Sequence, residues 1–266
     1  MLATTSSEAG VAIARRFELL RLSGRRALVP YITAGYPDGP RTIDLLAGLE
    51  SAGADLIEVG VPFSDPMADG PIIQASSQRA LANGVSFEGT LDLIRRARLG
   101  IPVVLFTYLN PLLSAGDGAL ERAAAAGAHG VLVTDLPVGA DPHRESWLGG
   151  GPLAFIRLVA PTTPLERMRE IAKHGSGFVY LISRLGVTGI RDALPPELPA
   201  TVARLRAATT LPIAVGFGVS RPEHAAQIAR IADAVVVGSA IVRAAGESVA
   251  AATRLASALR AAIDDA

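Results

Sequence analysis

Short apolar runs alternate along the chain with longer stretches that carry apolar residues on one helical face. The runs are rich in valine, isoleucine and leucine, which is typical of strands buried on both sides. Strands that alternate with amphipathic helices indicate βαβ units and therefore a parallel sheet in an α/β protein. The eight predicted strands are Ala27–Thr33, Asp55–Val59, Pro102–Thr107, Gly130–Val133, Leu153–Val159, Phe178–Ile182, Pro212–Val215 and Ala234–Val237.

Helical spacing of apolar residues fills the connections between these runs. Eight βα units in a chain of 266 residues favour a closed (β/α)8 (TIM) barrel, formed as a single domain by residues 1–266. An open doubly wound sheet is the alternative architecture. The predicted connecting helices are Arg41–Ala52, Ile72–Ala82, Phe87–Leu99, Asp117–Ala126, Leu165–His174, Pro196–Ala208 and Pro222–Ile231.

Two further helices decorate this plan. The first, Glu8–Leu22, is expected to close the bottom of the barrel, and Glu247–Ile263 is the last predicted helix. The apolar surface of the first helix would come from Val11, Ile13, Phe17, Leu19 and Leu20.

Composition narrows the classes of function. The net charge is zero and the pI is near 6.9, so no basic surface suggests nucleic acid as a partner. The chain has no cysteine, which removes disulfides and thiolate chemistry. No apolar run reaches the roughly eighteen residues of a membrane span, and no signal peptide is evident, so we expect a cytoplasmic protein without membrane contact.

A carboxylate interrupts the second apolar run. Glu58 lies near the end of a run that should be buried, where an ionised acid needs a partner or takes up a proton. Both outcomes suit proton transfer, but a structural pairing with an arginine is an equally good interpretation. Asp65 and Asp69 follow in a loop of prolines and glycine, where an aspartate is ordinarily turn chemistry. If the chain is a barrel, its chemistry lies in such loops after the strands.

Glycines follow strands seven and eight, where this fold commonly binds phosphate. Gly218 lies in the first of these loops and Gly238-Ser239 in the second, at the start of a short helix after strand eight. Free amides at a helix start hold an anion without a lysine. For the first loop, a capping box formed by Ser220 and Glu223 is the structural alternative. The long loop Ser183–Leu194 has the character of a lid, or of an ordinary solvent loop.

The residue types limit the reaction. The only lysine, Lys173, lies in a helix leading to the bottom of the barrel, which disfavours a Schiff base. None of the four histidines lies at a strand end, so a metal site is not expected. General acid–base catalysis by carboxylates remains, with the substrate supplying its own electron sink.

The segment Ile57–Pro71 resembles the signature of the tryptophan synthase alpha chain family. Other matching segments occur in the same order and with similar spacing over nearly the whole chain. They are Val29–Gly35, Tyr108–Pro111, Thr134–Pro137, Ala160–Thr162, Tyr180–Arg184, Gly186–Gly189 and Gly216–Gly218.

The resemblance implies cleavage of indole-3-glycerol phosphate into indole and glyceraldehyde 3-phosphate, in tryptophan biosynthesis. It implies that Glu58 protonates indole C3 and takes the glycerol hydroxyl proton, and that Asp69 accepts the indole N–H. Tyr180 would lie beside the glutamate. The remaining implied residues are Gly189, Gly218, Gly238 and Ser239 for phosphate, Tyr31, Phe106 and Leu158 for the indole pocket, and Arg184 and Thr188 in the lid.

The same resemblance implies a partner, a beta chain that carries pyridoxal phosphate, in an alpha2beta2 heterotetramer. This chain itself would hold no cofactor. The interface candidates are Pro62, Asp65, Asn110, Asp135 and Pro137.

Three positions depart from the family pattern. Gly149–Gly151 stands where the fourth helix should end, so we expect that helix to be short. Arg157 is a charge inside an apolar strand that faces the helices, and it needs a partner. Leu185 occupies a lid position that is usually small and polar. The alternative functions are another phosphate-binding barrel isomerase and a non-catalytic activator of a beta chain.

Overall fold

A computed structural model describes residues 8–182, 194–216 and 218–266. The strands of these residues pair in parallel and in chain order, and the eighth pairs with the first. The predicted closed barrel is therefore confirmed over the open sheet. The strands are β1 (Ala27–Thr33), β2 (Ile57–Gly60), β3 (Val103–Thr107), β4 (Gly130–Val133), β5 (Ala154–Val159), β6 (Val179–Ile182), β7 (Ile213–Gly216) and β8 (Ala234–Val237).

Helices follow each strand, and none in the described part of the chain is long and apolar enough to cross a membrane. Their bounds fall near the predicted ones, with two helices, α5 and α7, absent from the prediction. They are α1 (Glu8–Leu22), α2 (Gly39–Ser51), α3 (Pro71–Ala82), α4 (Phe87–Ala97), α5 (Leu109–Ser114), α6 (Ala119–Ala125), α7 (Pro142–Gly150), α8 (Leu165–Lys173), α9 (Leu198–Arg206), α10 (Pro222–Ala229), α11 (Ser239–Glu247) and α12 (Val249–Asp264).

Alternation along the strands divides the core into two clusters, because successive side chains of a strand point to opposite faces. Ile57 and Val59 of β2 join the outer cluster between barrel and helices. Val104 and Phe106 of β3 join the inner cluster, which fills the barrel. Glu58 pairs in register with Val104, so the strand directs its side chain inward with that second set.

The bottom of the barrel is covered by α1, as expected. Ile13 and Phe17 are buried, and the Phe17 ring lies 5.7 Å from that of Phe178, just before β6. Val11 and Leu19 do not join this surface, contrary to expectation, because the helix turns them outward and leaves them 47% and 53% exposed.

Arg157, the charge without a predicted partner, makes a buried ion pair with Glu145 of α7, with Nη2 2.6 Å from Oε2. Its other guanidinium groups donate to the carbonyls of Leu136 and His174, and the group stacks over Phe155 at 3.9 Å. The charge on β5 is thus satisfied by α7, a helix of nine residues whose last two are Gly149 and Gly150.

Candidate active site

Glu58 is buried in the barrel interior without a charged partner. Its side chain is 1% exposed, and Oε1 has no hydrogen-bond partner. Among the described residues no arginine pairs with it, so the structural interpretation of Glu58 is wrong there. Burial raises the pKa of Glu58 to about 8, because a charge in this interior loses its hydration. A carboxyl with such a pKa holds its proton at neutral pH and can donate it.

Asp69 is the second acid of the same interior, placed there by the loop between β2 and α3. Its carboxylate accepts a hydrogen bond from the Tyr108 hydroxyl at 2.9 Å, and its carbonyl accepts from Gln74 at 2.8 Å. Burial raises the pKa of Asp69 to about 6, while the hydrogen bond from Tyr108 opposes that rise. Asp69 is therefore mainly ionised at neutral pH, in contrast to Glu58.

One cavity at the carboxyl ends of the strands brings the two acids together. The Tyr31 ring lies edge-on to Phe106, with centroids 5.3 Å apart. Tyr180 is buried beside them, and burial raises its pKa well above the ordinary value, so its phenol stays protonated. The lining residues are Tyr31, Glu58, Asp69, Ile73, Phe106, Tyr180, Gly218, Val219, Val236, Gly238 and Ser239.

Two glycines at strand ends make room for the tyrosines of this cavity. A Cβ on Gly60 would collide with the Tyr31 hydroxyl, and a Cβ on Gly216 would collide with that of Tyr180. The glycines let both phenols lie flat against the backbone of the neighbouring strand.

Sequence reasoning assigned Leu158 to this cavity and did not assign Ile73, Val219 or Val236. Leu158 packs against the inner cluster but is not part of the lining, because its register partner Tyr180 occupies that wall. The alternation of β8 could have found Val236, two residues before Gly238. Ile73 lies in the first turn of α3 and carries no such signal.

The far side of the cavity is a helix start. Gly238 is the N-cap of α11, with no side-chain cap, and Ser239 is its first residue. Gly238 and Ser239 therefore offer backbone amides toward the cavity that also contains Gly218. The predicted capping box is wrong: α10 begins at Pro222 after Arg221, and no side chain caps it. The turn starts one residue later than the box requires, because proline favours the first helical position.

The predicted lid residues Arg184, Leu185 and Thr188, and the phosphate candidate Gly189, lie outside the described residues. Histidines are likewise absent from the cavity lining, and His129, for example, accepts the Val103 amide near the bottom of the barrel.

The interface candidates lie on the rim around the cavity. Asp65, Asn110, Asp135 and Pro137 are exposed. Pro62 is buried, contrary to its prediction as a contact residue, because it directly follows the buried end of β2. Asp135 accepts a hydrogen bond from the Leu109 amide at 2.7 Å, which joins the loops after β3 and β4.

Comparisons with known proteins agree with this geometry. The family model described as "Tryptophan synthase alpha chain" matches residues 17–264. The alpha chain of Caulobacter sp. strain K31 is 48% identical over 235 residues, covering 86% of this chain and 85% of that one. The Arabidopsis thaliana alpha chain is 42% identical and covers 93% and 91%. A structure of Mycobacterium tuberculosis tryptophan synthase superposes with a TM-score of 0.88 at 36% identity, covering 97% and 98%.

Proposed function

The chain belongs to the tryptophan synthase alpha chain family, whose activity is the cleavage of indole-3-glycerol phosphate, and we propose that Glu58 and Asp69 carry out this reaction in the cavity described above. The protein is thus a lyase of tryptophan biosynthesis, which releases indole and glyceraldehyde 3-phosphate. The observation that carries the residue roles is a single cavity with two acids whose pKa values are pushed apart.

The two acids have complementary roles in the proposed mechanism. Protonated Glu58 gives its proton to indole C3, while ionised Asp69 accepts the ring N–H and stabilises the positive charge that forms there. The Glu58 carboxylate then takes the proton of the glycerol hydroxyl next to the ring. As that C–O bond becomes a carbonyl, the carbon–carbon bond to C3 breaks, its electron pair returns to the indole, and Glu58 is protonated again.

The walls of the cavity suit the two ends of such a substrate. The indole would lie against Tyr31 and Phe106, whose apolar surfaces exclude water from the reacting carbon. The phosphate would lie at the start of α11, on the amides of Gly238 and Ser239, with Gly218 opposite. Gly189 and the lid residues Arg184 and Thr188 would close over this ligand. Tyr180 would lie beside Glu58 and limit where the glycerol chain fits.

Membership of this family implies a beta-chain partner. We propose an alpha2beta2 assembly in the cytoplasm, in which exposed Asp65, Asn110, Asp135 and Pro137 meet the partner. Pyridoxal phosphate would belong to the beta chain alone. This agrees with the position of the only lysine of the chain, Lys173, which is exposed at the end of α8 and far from the cavity lining. We also propose that residues 1–266 form one domain around the barrel.

The decisive experiment mixes the purified chain with indole-3-glycerol phosphate, with and without a beta chain, and follows indole. Indole release by the chain alone, accelerated by the beta chain, is the expected result. Stimulation of the beta chain without any indole release would identify a non-catalytic activator instead. Turnover of a ribosyl or triose phosphate without indole formation would identify an isomerase.

A further inference from the structure

The hydroxyl of Tyr108 connects the backbone and the carboxylate of one loop. It accepts a hydrogen bond from the Ala68 amide at 3.0 Å and donates one to Asp69 Oδ2 at 2.9 Å. A phenol has a single hydrogen, and the carboxylate is the only one of these two partners that can accept it. Burial, and then the charge of Asp69, raise the pKa of Tyr108, so the hydroxyl keeps this hydrogen over the working pH range.

The ring of Tyr108 fixes the other end of the same loop. It is 4% exposed and packs on the Phe63 ring, with centroids 5.1 Å apart. Tyr108 thus contacts the loop at Phe63, at Ala68 and at Asp69, while Tyr108 itself lies next to the end of β3. The loop after β2 is held by a rigid group of the next strand.

The groups around Asp69 make this hydrogen bond important. Glu58, Tyr31 and Tyr180 line the same cavity from β2, β1 and β6, and each interacts electrostatically with another member of this acidic set. No lysine, arginine or histidine from residues 8–182, 194–216 and 218–266 lines it. With no cation present there, a donor to the carboxylate is what favours its charged form.

We propose that Tyr108 is a positioning residue, which holds the Asp69 carboxylate in one orientation and keeps it ionised at neutral pH. The inference rests on the proposed function only for the use that is made of Asp69. It assigns no contact between Tyr108 and the substrate.

Replacement of Tyr108 by Phe removes the hydroxyl and retains the ring against Phe63. We expect the acidic limb of the kcat/KM profile for indole release to move up by about one pH unit, since hydrogen bonds to charged groups are among the strong ones. At neutral pH we expect kcat to fall by about tenfold and KM to change less. Tyr36→Phe is the matched control, because Tyr36 is a half-buried tyrosine outside the cavity lining and should leave the limb in place.

A second variant tests the same hydrogen bond in the opposite direction. Fluorotyrosine incorporated at position 108 makes the phenol a stronger donor without removing it, so the acidic limb should move to lower pH. A purely structural role for the ring predicts no opposite shift. This variant also keeps the test available if Tyr108→Phe folds poorly.

A direct titration separates this inference from the proposed function. The carboxyl carbon of Asp69, labelled with 13C and assigned with Asp69→Asn, can be followed by NMR in each variant whether or not the chain releases indole. A higher midpoint in Tyr108→Phe and a lower one with fluorotyrosine support the inference, even if the wild-type chain is inactive. Unchanged midpoints in both variants would overturn it, even if the wild-type chain is a lyase.

Discussion

Two buried acids stand three residues apart at the start of the second strand, and their surroundings differ completely. Asp55 lies at the bottom of the barrel, where its oxygens meet Arg16 at 3.0 Å and Arg260 at 2.9 Å. It also accepts the Leu28 amide at 2.9 Å. Glu58 lies in the barrel interior, 1% exposed, with no hydrogen bond to Oε1. One acid is saturated with donors, and the other is left without them.

The difference separates stability from chemistry along one short segment. The contacts of Asp55 tie β2 to α1 and to α12, the first and last helices around the barrel. Its charge is stabilised, so it has little tendency to exchange a proton. Glu58 has no cation to stabilise its charge in the described part of the chain, and its raised pKa makes it a proton donor. A barrel can therefore place its stabilising pairs at the bottom and its reactive acids at the top.

The largest expected effect comes from Glu58→Gln, which keeps the shape of the side chain and removes its proton transfer. We expect indole release to fall by roughly 10²- to 10⁴-fold or more, since this is the contribution typical of a general acid–base group. Steady-state kinetics with indole-3-glycerol phosphate measure it. Turnover near that of the wild type would remove Glu58 from the mechanism and end its contrast with Asp55.

Asp55→Asn should produce the complementary result. Removing one partner of a buried pair leaves the Arg260 charge uncompensated, and we expect the free energy of unfolding to fall by about 3 kcal/mol or more. Chemical denaturation measures this loss, and the indole release rate per folded molecule should be unchanged. The control is Asp264→Asn, the partly exposed second partner of Arg260, for which we expect a loss of about 1 kcal/mol or less. Equal losses in the two variants would argue against a special role for Asp55.

The sequence predicts the architecture well because alternation is a local and repeated signal. Each strand carries it, and the β4 and β8 bounds were predicted as they occur. The helix α5 was missed since six residues are too few to show a helical period. Glu58 was found because a carboxylate in an apolar run is unusual, but the run alone could not decide between an ion pair and a free acid.

Contacts between distant residues could not be predicted in the same way. Tyr108 reaches Asp69 across 39 positions, and Arg260 reaches Asp55 across 205, with no local pattern that connects them. The ion pair of Arg157 with Glu145 likewise depends on how α7 packs on β5. Pro62 was assigned to the exposed rim from its place in a motif, whereas the backbone at the end of β2 buries it.

The pH dependence of stability should also separate the two acids. Glu58 has a pKa of about 8 in the folded chain against an ordinary value of 4.5, so between these values the folded form holds one more proton than the unfolded form. Its contribution to stability is complete below pH 4.5 and is lost as the pH rises toward 8. We expect a loss on the order of 3 kcal/mol between pH 4.5 and pH 7.

Denaturation of the wild-type chain and of Glu58→Gln at several pH values isolates this contribution, because the other titrating groups are common to both. The glutamine variant should gain stability relative to the wild type as the pH rises. A difference that stays constant from pH 5 to pH 8 would mean that the folded chain does not hold the extra proton. Asp55→Asn should leave the pH-dependent difference in place.

The smallest effects come from two glycines, one at each end of the barrel. A Cβ on Gly238 would meet only ordinary contacts, the nearest at 3.7 Å from Tyr31, so Gly238→Val should fold normally. Its branched side chain would nevertheless cover the helix start, and we expect KM for the phosphate-bearing substrate to rise about tenfold, or 1.4 kcal/mol.

Gly53→Ala is the matched substitution at the bottom. Gly53 has a φ of +95°, and a Cβ there would lie 2.8 Å from Arg260 Cγ. We expect a loss of about 1–2 kcal/mol in the free energy of unfolding, with KM unchanged, because the left-handed backbone disfavours any Cβ. Kinetics and denaturation of both variants check the pair. If Gly238→Val left KM unchanged, α11 would not bind the phosphate; if Gly53→Ala altered KM, the two ends of the barrel would not be independent.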